Sequence, residues 1–198
     1  MKTIPFNPAW LDGFIWQDKN WRFTPKNDVA AIVGLCRGIS GNIVEVGCNA
    51  GVTTRNLALN MPTKLIYAVD YIGHERTMIA DQAGENPERG IFSEAEHLQN
   101  VVCIHSKGEN VNYEALCEVG TVFIDGDHTY EGVEKDTNKL IDFPGIRLRK
   151  DLILLIWNDC SENETWSGVF KFLSELEKET GMEINRIEGS TLAFAYLW

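Results

Sequence analysis

The stretch "NIVEVGCNAGVTTRNLALN", residues 42–60, joins a short apolar run to a helical pattern through Gly47 and Gly51. The run at its start is rich in β-branched residues, which is typical of a strand buried on both faces of a parallel sheet. Glycine permits a tight turn and a close approach of a ligand to the backbone, and the start of a helix offers unpaired N–H groups. The order of strand, glycine loop and helix therefore predicts a β–α unit with a ligand site in its loop.

The same alternation of strand and helix patterns continues along the chain. Strands are predicted at 42–47, 64–70, 100–105, 121–125 and 151–157. Helices are predicted at Val52–Asn60, 86–97, 110–118, 128–142 and 164–180. Two closing strands, 182–187 and 191–198, flank a hairpin turn at 188–190. We therefore expect an α/β protein with a Rossmann-like doubly wound sheet of about seven strands, mostly parallel with a C-terminal antiparallel hairpin strand.

Size and charge limit the classes of function. The 198 residues are enough for one sizeable core and too few for two ordinary domains. The net charge of -11 repels nucleic acid and anionic membranes, so we expect the protein to bind neither. No apolar stretch reaches membrane-spanning length, and the N-terminus lacks the apolar core of a signal peptide, so the expected location is the cytoplasm. The five scattered cysteines contain no C-x-x-C pair, which argues against a zinc site or a disulfide framework.

Residues 1–26 differ from the rest of the chain. They are rich in aromatic side chains, set among prolines and polar residues without a sustained period: Phe6, Trp10, Phe14, Trp16, Trp21 and Phe23. This N-terminal arm either packs on the body of the protein or serves as a lid over the ligand site or as a subunit contact. A homo-oligomer is compatible with the last of these. Residues 27–198 are expected to form one domain.

Polar side chains follow the predicted strands at their carboxyl ends, where ligands bind in open α/β sheets. Asp70 ends the second strand about twenty residues after the glycine loop, a place where an acidic residue commonly binds ribose hydroxyls, although a helix cap or turn role is equally compatible. A dinucleotide loop would read G-x-G-x-x-G, but Asn49 stands at the middle glycine. The sequence therefore disfavours a nicotinamide oxidoreductase.

The ends of the fourth and fifth predicted strands carry several hard oxygen donors. Asp125, Asp127 and His128 follow the fourth strand, while Asn158 and Asp159 follow the fifth. If these strands are neighbours, Asp125, Asn158 and Asp159 converge, and their oxygens suit Mg²⁺ or another divalent cation. The alternative is that Asp127 caps the next helix and the others form turns.

The segments "IVEVGCNAGVTTRNLA", "IYAVD", "VFIDGDHTYEGVEKD" and "WND", in this order, resemble the class I S-adenosylmethionine-dependent methyltransferases. The small branch whose fourth strand ends in D-G-D-H-[ST]-Y-E-G is the most similar. The resemblance covers roughly residues 27–198, and the eight-residue string is its most specific part. It implies a seven-stranded sheet with a terminal antiparallel strand.

The resemblance also implies roles for particular residues. The resemblance implies that the loop holding the methionine moiety contains Glu45, Gly47, Cys48, Asn49 and Gly51. Asp70 would bind the ribose, and Ser106 and Lys107 would flank the adenine. Asp125 would contact the cofactor, act in catalysis and, with Asn158 and Asp159, hold a metal ion. His128 would be a base.

The chain departs from the branch at three points. Asn158 stands where the branch usually has histidine or aspartate, the usual proline-glycine-glycine turn is reduced to Pro144 and Gly145, and the acceptor-binding region matches no known pattern. We expect methyl transfer from S-adenosylmethionine to a hydroxyl oxygen of a small molecule, assisted by Mg²⁺ or, without metal, by His128 or Asp125 as general base. The alternative is a protein of the same fold that binds S-adenosylmethionine or another adenosine nucleotide without turnover.

Overall fold

The computed structural model describes residues 1–17, 24–71, 92–141, 152–162 and 167–197. Its eight strands are β1 (Lys2–Ile4), β2 (Asn42–Val46), β3 (Ile66–Asp70), β4 (Val101–His105), β5 (Val119–Ile124), β6 (Ile153–Trp157), β7 (Ile184–Ile187) and β8 (Ala193–Leu197). Its four α-helices within these ranges are α1 (Lys26–Cys36), α2 (Val52–Asn60), α3 (Tyr130–Ile141) and α4 (Ser167–Thr180). No helix in the described part of the chain combines the length and the apolar character that a membrane span requires.

The strands form one sheet in the order β1-β7-β8-β6-β5-β2-β3-β4. Every neighbouring pair is parallel except the two that include β8, which runs antiparallel to both β6 and β7. This confirms the predicted doubly wound, mostly parallel sheet with a C-terminal antiparallel hairpin strand. The sheet has eight strands rather than about seven, because β1 from the N-terminal arm adds a strand beside β7.

The strand order reverses at β2, which lies between β3 and β5, while β5 in turn pairs with β6. In register, Val46 faces Ile124 and Ile124 faces Trp157. The last residues of three adjacent parallel strands therefore meet at one edge of the sheet. This edge is the place where open α/β sheets bind ligands.

Within the described residues, each face of the sheet packs against two helices. Alternate residues of the central strands point to opposite faces, so Val122 and Ile124 pack toward α3 and α4 while Phe123 packs toward α1 and α2. All of β5 and β6 is buried, which explains why these strands read as continuous apolar runs and not as alternating ones. On the α3 side the Trp157 indole donates to the Thr137 hydroxyl at 3.0 Å, which satisfies a buried donor.

The helix predictions had mixed outcomes. Helix α2 has the predicted bounds, and α3 and α4 lie inside the predicted ranges. The helix predicted at 110–118 is wrong, because this segment contains short 3-10 turns, one of them started by the Asn112 side chain, which accepts from the Glu114 N–H. Residues 92–97 form turns instead of the predicted helix, and 86–91 lie outside the described residues. The sequence analysis did not predict helix α1. Its buried residues lie on all sides of the helix, so they do not produce the single apolar stripe of an amphipathic helix.

The first 17 residues lie against the body of the protein. Phe6, Trp10 and Phe14 pack on the core cluster that α1 shares with the sheet. Farther along, the Asn60 side-chain amide makes two hydrogen bonds of 2.8 Å with the Ile15 backbone. Asn56, one turn earlier in α2, bonds the Gln17 backbone in the same way. The arm is thus held along α2, the helix that follows the glycine loop. Trp21 and Phe23 of the predicted arm, and Pro144 with Gly145, lie outside the described residues.

The lid role of residues 1–26 stays a prediction. It requires that removal of the arm lower turnover while leaving the melting temperature unchanged, whereas loss of the packing contacts of Phe6 and Trp10 would lower the melting temperature.

Gly34 in α1 offers a direct test of how firmly the arm is packed. A Cβ atom there would lie 2.0 Å from Cδ1 of Trp10, so Gly34→Ala has to displace the indole. We expect a loss of about 1–3 kcal/mol in the free energy of unfolding, measured by urea denaturation, as for other overpacked sites. The matched control is Gly38→Ala, because nothing lies within 4 Å of a Cβ at Gly38. Equal stability of the two variants would show that Trp10 does not pack firmly on α1.

Candidate functional site at the carboxyl ends of β2, β3, β5 and β6

The glycine loop between β2 and α2 has the backbone geometry that its sequence predicts. Gly47 and Gly51 both have φ of 87°, and Asn49 between them has φ of 51°. A Cβ at Gly47 would lie 2.1 Å from the carbonyl oxygen of Asp125, so no other residue fits there. The loop therefore lies directly against the chain that leaves β5. Cys48, beside Gly47, is buried.

Asp70 holds the glycine loop in place. Its Oδ2 accepts a hydrogen bond of 2.6 Å from the Asn49 N–H, and its Oδ1 accepts one of 2.5 Å from the Tyr71 N–H. The carboxylate is buried at the end of β3, where charge-assisted bonds to N–H groups stabilise it. Each carboxylate oxygen has a further lone pair, so the turn role and a ligand-binding role are compatible at this position.

Glu45 in β2 is a buried acid with incomplete hydrogen bonding. Its side chain is 1% exposed, and Oε2 accepts a bond of 2.6 Å from the Thr54 hydroxyl. Its Oε1 has no hydrogen-bond partner among the described residues. Burial raises the pKa of Glu45 to about 8, with the Thr54 bond opposing and the negative charges of Asp125 and Asp70 adding to the rise. A cation in the loop would give this carboxyl the partner that it lacks.

Ser106 and Lys107 lie at the carboxyl end of β4, next to Asp70. The Ser106 N–H donates to the Asp70 carbonyl at 2.9 Å, and the Lys107 ammonium lies 5.1 Å from the centre of the Tyr71 ring. Tyr71 is 46% exposed, and the sequence analysis did not assign it to the site. The sequence feature that could have indicated Tyr71 is its position directly after Asp70, the acid that ends the strand. An exposed ring at this place offers a stacking surface for a planar base.

The string D-G-D-H-T-Y-E-G forms the entry to α3. The Thr129 hydroxyl accepts from the Gly132 N–H at 3.1 Å, and Asp127 Oδ1 accepts from the Thr129 N–H at 2.9 Å. A Cβ at Gly132 would lie 2.4 Å from the Asp127 Cβ, so glycine is required there. Thr129 therefore caps α3, and Asp127 does not: its carboxylate stabilises the turn that precedes Thr129.

Asp125, His128 and Asp159 form a compact polar centre. His128 Nε2 lies 3.4 Å from Asp125 Oδ1 and 3.3 Å from Asp159 Oδ2, and all three side chains are half-buried. One nitrogen or oxygen from each residue lies within 4.8 Å of the others, close enough to bind one cation. Asp159 has φ of 54°, a left-handed conformation that aspartate adopts more readily than most residues.

The three groups of this centre affect one another's protonation. Burial alone would lower the pKa of His128, but the hydrogen bond to Asp125 and the charges of Asp125, Asp159 and Asp127 outweigh it and raise that pKa. Burial raises the pKa of Asp159, and Asp125 adds to this effect while His128 opposes it. The centre therefore favours a proton on the imidazole between two carboxylates.

Asn158 lies beside Asp125, as predicted, but its amide oxygen faces away from it. Its Nδ2 donates to Asp125 Oδ1 at 2.8 Å, and its Oδ1 accepts from the Thr191 hydroxyl at 3.2 Å. The Asn158 N–H donates to the Ile124 carbonyl at 3.0 Å, which continues the ladder between β5 and β6. In this orientation Asn158 is a hydrogen-bond donor to the centre and offers it no oxygen.

Asp136 is a further buried acid near the site that the sequence did not single out. A Cβ at Gly108 would lie 2.5 Å from its Oδ1, and one at Gly126 would lie 3.1 Å from its Oδ2. Its carboxyl therefore packs between the loop after β4 and the loop after β5. Burial raises the pKa of Asp136 to about 6, and the charges of Glu109 and Asp127 add to the rise. The sequence feature that could have indicated Asp136 is an acidic residue on the otherwise apolar face of the predicted helix.

Comparison with known proteins gives one family and several similar folds. A family model described as a methyltransferase domain matches residues 44–150. An SAH-bound methyltransferase of Podospora anserina is 13% identical, with a TM-score of 0.63 over 89% of this chain and 80% of that one. A putative caffeoyl-CoA O-methyltransferase of Staphylococcus aureus is 15% identical, with a TM-score of 0.57 over 96% and 88% of the two chains.

A third similar structure is a TDP-rhamnose 3'-O-methyltransferase of calicheamicin biosynthesis. It is 14% identical to this chain, with a TM-score of 0.54 over 88% of this chain and 81% of that one. No curated protein sequence matches. At such low identities, the likeness to the three solved structures shows the fold alone.

The raised pKa of Glu45 predicts a pH-dependent stability. An acid whose pKa is 4.5 when unfolded and about 8 when folded stabilises the fold fully below pH 4.5 and loses that contribution as the pH rises through 8. Glu45→Gln keeps an acceptor for Thr54 and removes the charge. We expect its free energy of unfolding to exceed that of the wild type at pH 8 by more than about 1.4 kcal/mol, the value of one pKa unit, and to match it near pH 4.5.

Urea denaturation across this pH range measures the difference. Glu114→Gln, at an exposed glutamate, is the control and should show no such trend. A constant difference between Glu45→Gln and the wild type would contradict the raised pKa.

Proposed function

The chain belongs to the methyltransferase domain family, and from that premise we propose that it transfers a methyl group from S-adenosylmethionine to a hydroxyl oxygen of a small-molecule acceptor. The observation that carries the choice of cofactor is the buried carboxyl of Glu45, whose Oε1 lacks a hydrogen-bond partner among the described residues next to the glycine loop. An acid in this setting calls for a cation.

The charges of the site fit this cofactor. S-adenosylmethionine carries a sulfonium and an ammonium group against one carboxylate, so it is cationic overall. Glu45, Asp70 and Asp125 lie around the loop, and the pKa of Glu45 is raised mainly by burial and further by the charges of Asp125 and Asp70. A dinucleotide would bring the negative charges of its pyrophosphate to the same acids. The charge balance therefore supports the sulfonium cofactor over a nicotinamide dinucleotide.

The residues around the loop suggest where each part of the cofactor binds. Glu45 and the loop Gly47–Gly51 would hold the methionine part, which places its ammonium group near Glu45. Asp70 would accept from the ribose hydroxyls in addition to its two backbone donors. Tyr71 and Lys107 would flank the adenine, because the exposed ring and the ammonium stem form one surface beside Asp70.

The chemistry requires the chain to position an acceptor oxygen and to take its proton. The bound cofactor supplies the electrophilic methyl group. His128 Nε2 lies between two carboxylates, and we propose that it removes the acceptor proton, because Asp125 and Asp159 would stabilise the resulting imidazolium. The base must be neutral to act. The pKa of His128 is raised above 6.5, so activity should increase as the pH rises through this higher pKa.

A divalent cation at this centre, the role given above to Asp125, Asn158 and Asp159, stays a proposal. The donor set that the structure brings together is Asp125, His128 and Asp159, and it fits a divalent ion that accepts an imidazole ligand. Bound there, such an ion would lower the pKa of an acceptor hydroxyl. Mg²⁺ prefers oxygen ligands, and Asn158 would supply one only with its amide turned over.

The cofactor proposal is tested by the ligand itself. Mass spectrometry of the purified, denatured protein should detect S-adenosylmethionine or S-adenosylhomocysteine, and calorimetry should show that both bind. A dinucleotide in their place would contradict the proposal. Binding without methyl transfer to any hydroxylated acceptor would instead support the alternative of a protein that binds the cofactor without turnover.

Asp70 provides the residue-level prediction for cofactor binding. We expect Asp70→Ala to weaken the binding of S-adenosylmethionine by about 1–3 kcal/mol, because hydrogen bonds to a charged acceptor are lost. Isothermal calorimetry measures the change, and circular dichroism confirms that the variant is folded. Asp70→Asn, which keeps one acceptor oxygen, should have an intermediate affinity. Unchanged affinity in a folded Asp70→Ala protein would remove Asp70 from the site.

The choice between base and metal is a separate prediction. We expect His128→Ala to lower kcat by about 10²–10⁴-fold while cofactor affinity changes little, because a general base contributes about this factor. Methyl transfer by the wild type should survive thorough chelation. Loss of transfer on chelation that Mg²⁺ restores, together with weaker metal binding in Asp159→Asn, would instead establish the divalent cation.

A further inference from the structure

Thr191, between the hairpin turn and β8, is held in place by three hydrogen bonds. Its carbonyl accepts from the Cys160 N–H at 2.8 Å, and its backbone N–H donates to the carboxylate of Asp28. Its hydroxyl donates to the Asn158 amide oxygen at 3.2 Å. Thr191, which lies outside the four segments quoted for the resemblance, is therefore hydrogen-bonded to Asn158, the neighbour of Asp125.

Asp28 connects this threonine to helix α1. It lies in the first turn of α1, is 4% exposed, and also accepts from the hydroxyl of Ser190. Ser190 is further held by the Leu192 N–H, which donates to its hydroxyl at 3.0 Å. Two neighbouring residues of the β7–β8 hairpin are thus fixed by one buried carboxylate, so the position of the Thr191 hydroxyl is well determined.

The chemistry of the groups sets the orientation of the amide between them. Asp125 is an acceptor when ionised, so the Asn158 NH₂ has to face it, and the amide oxygen then faces the hairpin. Asn158 is buried, and its oxygen needs a donor that only a hydroxyl at position 191 supplies among the described contacts. Removing that hydroxyl leaves a buried acceptor unsatisfied and frees the amide to rotate.

We propose that Thr191, held by Asp28, is a positioning residue for methyl transfer. It fixes the Asn158 amide, the amide fixes Asp125 Oδ1, and this oxygen lies 3.4 Å from Nε2 of the base His128. The inference rests on the proposed function, because it assigns Thr191 a part in the same reaction. Thr191 contacts neither the glycine loop nor Asp70 in the described hydrogen bonds, so its role concerns the proton transfer and not cofactor binding.

The kinetic test uses a pair of substitutions at position 191. Thr191→Val removes the hydroxyl at nearly constant volume, and Thr191→Ser keeps it. We expect kcat of Thr191→Val to fall by about 10–100-fold, the usual effect of losing the support of an active-site group, with KM for S-adenosylmethionine unchanged. Thr191→Ser should restore kcat to near the wild-type value. Thr180→Val, which removes a hydroxyl bonded to the Leu176 carbonyl in α4, is the matched control and should leave kcat unchanged.

A spectroscopic measurement makes the test independent of turnover. In the ligand-free protein, nuclear magnetic resonance reports the side-chain NH₂ of Asn158 and the ring nitrogens of His128. Thr191→Val should shift both sets of signals, whereas Thr191→Ser and Thr180→Val should shift neither. If Thr191→Val does not fold, Asp28→Asn takes its place, because it weakens the support of Thr191 and should shift the same signals in the same direction.

The two proposals fail in different ways. Wild-type kcat in Thr191→Val, or unchanged Asn158 and His128 signals in that variant, would overturn the positioning role. A fall in kcat that Thr191→Ser does not rescue would also overturn it, since the effect would then come from altered packing. Absence of cofactor binding and of methyl transfer in the wild type would overturn the proposed function, and the resonance shifts would still decide whether Thr191 orients Asn158.

Discussion

The close contact between Gly47 and the Asp125 carbonyl is the constraint on which the site depends. A Cβ atom at Gly47 would lie 2.1 Å from that oxygen, so the loop after β2 and the segment after β5 touch only because position 47 has no side chain. Burial is the main cause of the raised pKa of Glu45, and the charges of Asp125 and Asp70, which lie near this contact, add to the rise. The proposed cofactor site and the proton-accepting centre are thereby parts of one structure.

The acids at this edge of the sheet would distinguish the two forms of the proposed cofactor. Buried carboxylates are destabilising without partners, and the sulfonium cofactor would relieve part of this cost on binding. Once the methyl group had left, the sulfur would be neutral, and the product would have one positive charge fewer to offer to Glu45 and Asp125. The same acids would then favour release of the product.

The sequence predicted the features that depend on short segments. The bounds of α2, the convergence of Asp125 and Asn158 and the tight turn of the glycine loop all follow from local patterns and from the rule for strand ends. The features that it missed depend on contacts between distant segments. Thr191 reaches Asn158 only because β8 pairs with β6, and Asp136 reaches Gly108 only because α3 packs over the loop after β4. A hydrophobic pattern indicates which residues of a strand or helix are buried, but it does not indicate which loop of the protein packs against them.

The pairing of β1 with β7 has a consequence for biosynthesis. Lys2 pairs with Asn185 and Ile4 with Ile187, so β1 has its hydrogen-bond partner in a strand that is synthesised only after β2 to β6. Contacts of such long separation are entropically costly to form and complete late. During translation Trp10 can pack against α1 soon after both are made, and the sheet around β2 and β5 can assemble before β7 exists. Strand β1 is thus paired only after β7 has been synthesised, although it precedes the other strands in the sequence.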